Sequence, residues 1–164
     1  MASHDSHLQG ALLSVLHVLG MNAEELAENP LASTRTVQDL NQRATLPCAS
    51  NSLDAVVCTV SVEYLTQPLE VFAEVMRTLK PGGVFVLTFS NRWFPTKAIA
   101  AWSLLQDFER IGLVSQWLAD AGFEQRHTFS SRNWPRPKTD VYAEKIPTSD
   151  PVYAVWGYKP QPVK

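Results

Sequence analysis

Glu63 and Tyr64 in "SVEYL", and Asn91 and Arg92 in "FSNRW", are the residues best placed to do chemistry in this chain. Each pair follows a run rich in β-branched and aromatic residues, so each stands just past a strand end, at one edge of the sheet if the strands run parallel. There a carboxylate and a phenol can meet a substrate, and an arginine can hold a carboxylate or phosphate by a two-point contact. Plainer roles compete: Tyr64 anchoring the next helix through its ring, and Arg92 as a solvated loop charge. His4, His7, His17 and His127 lack metal-ligand spacing, and Cys48 and Cys58 fall outside any CxxC pattern, so no metal site is expected. No Ser/His/Asp or Cys/His arrangement presents itself. The cysteines read as small apolar residues and His127 as a packing or edge residue.

The elements that position these residues must come from one modest core. A chain of 164 residues fits a single domain over 1–164, burying about two-thirds of its unfolded surface; residues 1–10 are expected to be disordered. A net charge of -2 and a pI near 6.1 give no basic excess for nucleic acid or a lipid surface. No apolar run approaches the roughly 20 residues that cross a bilayer, and two thiols without a disulfide framework suit a reducing compartment. The expectation is a soluble, intracellular protein with no nucleic-acid or membrane partner.

"ALLSVLHVLG" (11–20) reads as a buried strand or a helix end. In "MNAEELAENP", Asn22 can cap a short helix that Pro30 stops. "TRTVQDLN" is a short strand, and "LDAVVCTVSV" suits a strand covered on both faces. Thr66 can cap the next helix, with Pro68 in its first turn and Leu69, Phe72, Val75, Met76 and Leu79 on one face. Lys80 suits the negative helix end, and Pro81-Gly82-Gly83 permits a reversal into "VFVLTF". Strand, helix and strand at this spacing make a right-handed crossover between parallel strands. Beyond it, 95–123 holds two helical pieces, with Ile111, Val114, Trp117, Leu118 and Ala121 on one side and Gly122 as terminator. "EQRHTFSS" is a further strand, and "PVYAVWGYK" a last, antiparallel one.

With this order in place, "LPCASNSLDAVVCTVSVEYLTQPLEVFAEVMRTLKPGGVFVLTFSNR" resembles the central block of a class I S-adenosylmethionine-dependent methyltransferase of the small-molecule, type 11 kind. The resemblance implies an α/β fold: a Rossmann-like, mostly parallel sheet with helices on both faces and the last strand antiparallel. It also implies S-adenosylmethionine as cofactor, bound at the carboxyl ends of the first strands. The family's glycine-rich loop after strand one has no counterpart here, so the first strand and first helix are expected to be missing. On the family's pattern Gly20, Met21 and Asn22 stand where strand two meets the ribose. Gly20 replaces the usual acidic residue, and Asn22 offers a weaker polar contact. Asp39 and Leu40 stand where strand three meets the adenine, and Thr59 and Ser61 lie beside the methionine part. Asp39 has an ordinary alternative as the cap of its own turn.

The resemblance implies transfer of a methyl group to a small-molecule acceptor, whose side would be Glu63, Tyr64, Asn91 and Arg92. The alternative is a catalytically inactive methyltransferase-like remnant acting as a binding or structural subunit. In either case a second copy or a partner chain is expected to complete the sheet.

Overall fold

In the computed structural model, residues 13–162 are described; the disorder expected for residues 1–10 falls outside them. The chain forms two compact units, residues 1–47 and 48–164.

In the first unit, β1 (His17–Gly20) and β2 (Thr34–Val37) pair in parallel, with Gly20 opposite Val37. Between them lies α1 (Ala23–Ala27), started by Asn22, whose Oδ1 accepts the Glu24 and Glu25 N–H groups at 2.9 and 3.5 Å. Arg35 on β2 donates to the Leu26 and Asn29 carbonyls at 2.8 and 2.7 Å, placing a cation at the negative end of α1. Among the described residues of the apolar run expected over 11–20, strand geometry is confined to the last four.

The second unit contains β3 (Leu53–Thr59), a 3-10 turn (Val62–Tyr64), α2 (Pro68–Thr78), β4 (Leu79–Phe89), α3 (Ala100–Leu104), α4 (Asp107–Asp120), β5 (Glu124–Ser131) and β6 (Val152–Tyr158). The sheet order is β3-β4-β6-β5. The crossover expected from sequence is present: β3 and β4 run parallel, joined through α2, and β6 is antiparallel to both β4 and β5. Burial alternates along β4, with Phe85, Leu87 and Phe89 buried and Val84, Val86 and Thr88 half-buried. On the buried face Phe72 of α2 meets Phe85 edge-on at 5.0 Å and Trp117 of α4 at 6.1 Å, while Phe89 packs against Trp102 and Tyr153 at 5.1 and 5.7 Å. Contacts of this kind add about 0.5–1.5 kcal/mol each beyond area burial.

Three local expectations are corrected. The N-cap position of α2 is Gln67, one residue after the expected Thr66, and the Gln67 side chain makes no capping bond. Leu69, expected on the buried stripe, is 46% exposed, and Val71 is buried beside Phe72 and Val75. The Lys-Pro-Gly-Gly segment is the start of β4 itself, since Leu79 is already extended (φ -66, ψ 142). Gly82 takes φ +77 and Gly83 sits where a Cβ would lie 2.9 Å from the Lys80 carbonyl and 3.1 Å from that of Asp54. The glycines are needed, but inside the amino end of the interior strand β4. Lys80 pairs with Asp54 at 2.7 Å; besides Arg77 in the last turn of α2, the cation at the end of this helix is Lys159, which donates to the Met76 and Leu79 carbonyls at 2.7 and 2.8 Å and to Asn51 Oδ1 at 2.8 Å.

Candidate functional site

At the carboxyl end of β3 the backbone turns sharply. Val60 adopts φ +46, a left-handed conformation that β-branched residues avoid, while its N–H bonds the Thr88 carbonyl at 2.8 Å. Ser61 is exposed and donates to the Thr59 carbonyl at 2.8 Å. The 3-10 turn then buries Val62 and Glu63. Glu63 is 1% exposed, and its Oε2 has no hydrogen-bond partner. Burial raises its carboxyl pKa above the usual glutamate range, an effect that a bond from its own backbone N–H only partly offsets. Burial, and secondarily the Glu63 charge, pushes the Cys58 thiol up to about 12.

The segment 90–99 forms a strap that returns to this turn. The Phe94 N–H donates to Tyr64 Oη at 3.1 Å, and the Ile99 N–H to the Glu63 carbonyl at 3.0 Å. Tyr64 therefore anchors the strap, and its hydroxyl pKa is raised mainly by burial. Asn91 is exposed and receives the Ser90 hydroxyl at 3.4 Å. Arg92, 68% exposed, lies 3.3 Å from Asp150, a pair too solvated to fix much.

Beneath the strap lies a polar cluster that sequence reasoning missed. Arg110 is buried, donating to the Trp102 carbonyl at 3.0 Å and to Asp107 Oδ1 at 3.1 Å, with its guanidinium 4.0 Å from the Trp93 ring centre. Asp107 Oδ2 accepts the Tyr153 hydroxyl at 2.5 Å and lies 3.5 Å from Arg132. Tyr153 is pushed up to about 12 by burial first and Asp107 second. A signal was available: Arg110 precedes Val114 and Leu118 at four-residue steps, so a cation occupies the apolar stripe of α4. The indole nitrogens of Trp93 and Trp102 also lack partners.

In the first unit the parallel pairing brings Gly20 and the residues after β2 to one edge, where the Gln38 N–H donates to the Gly20 carbonyl at 2.9 Å. Met21 is 72% exposed. Asn22 uses its side chain as the α1 cap. Asp39, half-buried like Leu40, accepts the Asn41 N–H at 2.9 Å, which is the turn-capping role set against the cofactor role. Among the described residues no His/Cys/Asp/Glu group is arranged to hold a metal ion, and no helix is long and apolar enough to cross a membrane. A recess of about 220 Å³ beside Gly82, Gln125 and Tyr158 lies at the amino end of β4, away from Glu63, and none of the buried unpaired atoms belongs to it.

A parallel crossover with buried polar groups at its carboxyl end is the geometry of a ligand-binding α/β sheet. The family described as "Methyltransferase domain" matches residues 11–87. The match marks this stretch, just under half of the chain, as similar to methyltransferase domains. The chain is 29% identical over 72 residues to the biotin biosynthesis bifunctional protein BioHC of Teredinibacter turnerae, a match covering 44% of this chain and 13% of that protein. It thus spans about an eighth of the length of the curated relative it matches, 13%. Its fold is similar to that of a SAM-dependent methyltransferase from Archaeoglobus fulgidus, with 15% identity over 87% of this chain and 75% of that one and a TM-score of 0.61. It is also similar to an N-methyltransferase of Haemonchus contortus in complex with phosphomonomethylethanolamine and S-adenosylhomocysteine, with 15% identity, 88% and 44% coverage and a TM-score of 0.55. At such identities the likeness is one of fold.

Proposed function

We propose that this chain is part of an S-adenosylmethionine-dependent methyltransferase acting on a small-molecule acceptor. The observation that carries the reading is the family match over 11–87 together with the parallel β3-α2-β4 crossover, whose carboxyl end holds a buried carboxylate. The acceptor side comprises Glu63, Tyr64, Asn91 and Arg92. The cofactor side comprises Gly20, Met21, Asn22, Asp39, Leu40, Thr59 and Ser61. The two free cysteines fit an intracellular setting, and residues 1–164 act as one functional domain.

The cofactor side fits only in part. A Cβ on Gly20 would meet the Leu26 side chain at 3.2 Å, so the space in front of this glycine holds a leucine rather than a nucleoside. Asn22 Oδ1 and Asp39 Oδ1 serve their own turns. The cofactor would supply an activated methyl group, leaving the chain to align and desolvate the acceptor. β1 and β3 each pair with one neighbour among the described strands, so each has an edge that a second copy or a partner chain would complete. The filled space at Gly20 also favours a second reading, in which the chain is a catalytically inactive binding or structural subunit.

Titration calorimetry with S-adenosylmethionine and S-adenosylhomocysteine separates the two. Micromolar binding of either is the expected result; no heat at millimolar ligand would transfer the case to the inactive subunit. Thermal shift gives a parallel readout, since ligand at about 100 times its Kd adds roughly 2.7 kcal/mol.

A further inference from the structure

Two unfavourable features stand within four residues at the end of β3. Val60 is left-handed at φ +46, a strain of about 1–3 kcal/mol for such a residue. Glu63 is buried with one carboxylate oxygen unpaired. A structural carboxylate in that position is as a rule matched by a cation or by several donors. The buried cation among the described residues of this unit, Arg110, is instead bonded to Asp107 and to the Trp102 carbonyl. Strain and an unpaired polar group at one strand end are what a ligand site shows when the ligand is not there to complete it.

The cover over this point is light. The strap 90–99 is tied to the 3-10 turn through the Phe94 and Ile99 N–H groups. Asn91, Arg92 and residues 94–97 are exposed, with Phe94 at 65%. Segments with few buried contacts open at low free-energy cost. The strap also carries Trp93, whose indole N–H has no partner.

We propose that Glu63 Oε2 is the hydrogen-bond acceptor for an N–H or O–H group of a small ligand admitted when the strap 90–99 lifts. The ligand class is therefore an amine or hydroxyl compound, not a nucleophile without a proton such as a thioether. That the ligand is the methyl acceptor rests on the function proposed above; the site itself rests on Glu63, Val60 and the strap.

The test uses the full chain and its Glu63→Met and Glu63→Gln variants at pH 8. If Glu63 is kept for a ligand, Glu63→Met raises the urea midpoint of the ligand-free chain by about 1 M, because a buried unpaired carboxylate is removed. A lowered midpoint means that Glu63 is structural and overturns the assignment. Thermal shifts are then measured with ethanolamine against tetramethylammonium, which has the same charge and no donor, and with phenol against anisole. A shift with a donor probe that its partner lacks, present in the wild type and lost in Glu63→Gln, is the expected result. No donor-specific shift in the wild type, or an equal shift in Glu63→Gln, overturns it. S-adenosylhomocysteine is titrated into the same proteins. Its failure to bind beside an intact donor response sinks the methyl-transfer reading and leaves the site; binding without a donor response does the reverse.

Discussion

Replacing Arg110 by methionine tests whether the polar cluster beneath the strap holds this unit together. The guanidinium gives one bond to the Trp102 carbonyl, one to Asp107, and a stack on Trp93 at 4.0 Å. Hydrogen bonds involving a charged group contribute about 1.5–3 kcal/mol each, and a desolvated cation over an indole about 2 kcal/mol. Methionine retains much of the apolar stem packing, so the whole sum is not lost. Nor is Asp107 abandoned: it keeps the Tyr153 hydroxyl and has Arg132 at 3.5 Å. The loss therefore falls short of the top of the 3–5 kcal/mol range for breaking a buried pair, and about 3 kcal/mol is expected. The control is Arg132→Met. Arg132 faces the same carboxylate but its side chain is 52% exposed, and its pair should contribute no more than about 1 kcal/mol. Urea unfolding of both variants, extrapolated to water, gives the comparison. A loss under about 1 kcal/mol for Arg110→Met, or an equal loss for Arg132→Met, would refute the argument that burial decides which of these pairs matters.

Glu63 predicts a pH dependence whose sign follows from its raised pKa. The folded chain holds the proton more tightly than the unfolded chain, so the stability this provides is complete below the usual value of 4.5 and is lost as pH rises through the folded value. Subtracting the Glu63→Gln stability from that of the wild type between pH 4 and 8 should give a falling curve; a flat or rising one contradicts the burial. Both groups coupled to Glu63, Cys58 and Tyr64, have raised pKa values and stay neutral across that window. Lys159→Met removes three bonds at the end of α2 and should destabilise by about 2 kcal/mol in urea unfolding. Gly83→Ala puts a methyl 2.9 Å from a backbone carbonyl and should lower stability by about 1–3 kcal/mol, read as a drop in Tm; an unchanged Tm would show that the amino end of β4 yields.

Much of the fold was legible because it rests on local chemistry. The α1 cap at Asn22, the β3-α2-β4 crossover, the two helices before Gly122 and the antiparallel last strand all follow from capping, periodicity and turn residues that act within a few positions. The site was legible only as a region. Glu63, Tyr64, Asn91 and Arg92 were singled out because they follow strands, but that rule does not say which is buried, which is bonded and which is solvated.

Sequence by itself determined the order and kind of the elements, and the edge of the second unit at which polar groups would collect, because helix and strand signals are carried by neighbours in the chain. Tertiary structure decided the partners. Lys159 rather than Lys80 ends α2, across 80 residues of chain to Leu79. Arg110 is buried against Asp107 and Trp102, and Tyr153 of β6 reaches back to Asp107. Glu63 is enclosed with an oxygen unpaired. Such pairings depend on which side chains meet when the sheet closes and on how much water is excluded there, and neither quantity is encoded in the spacing of residues along the chain.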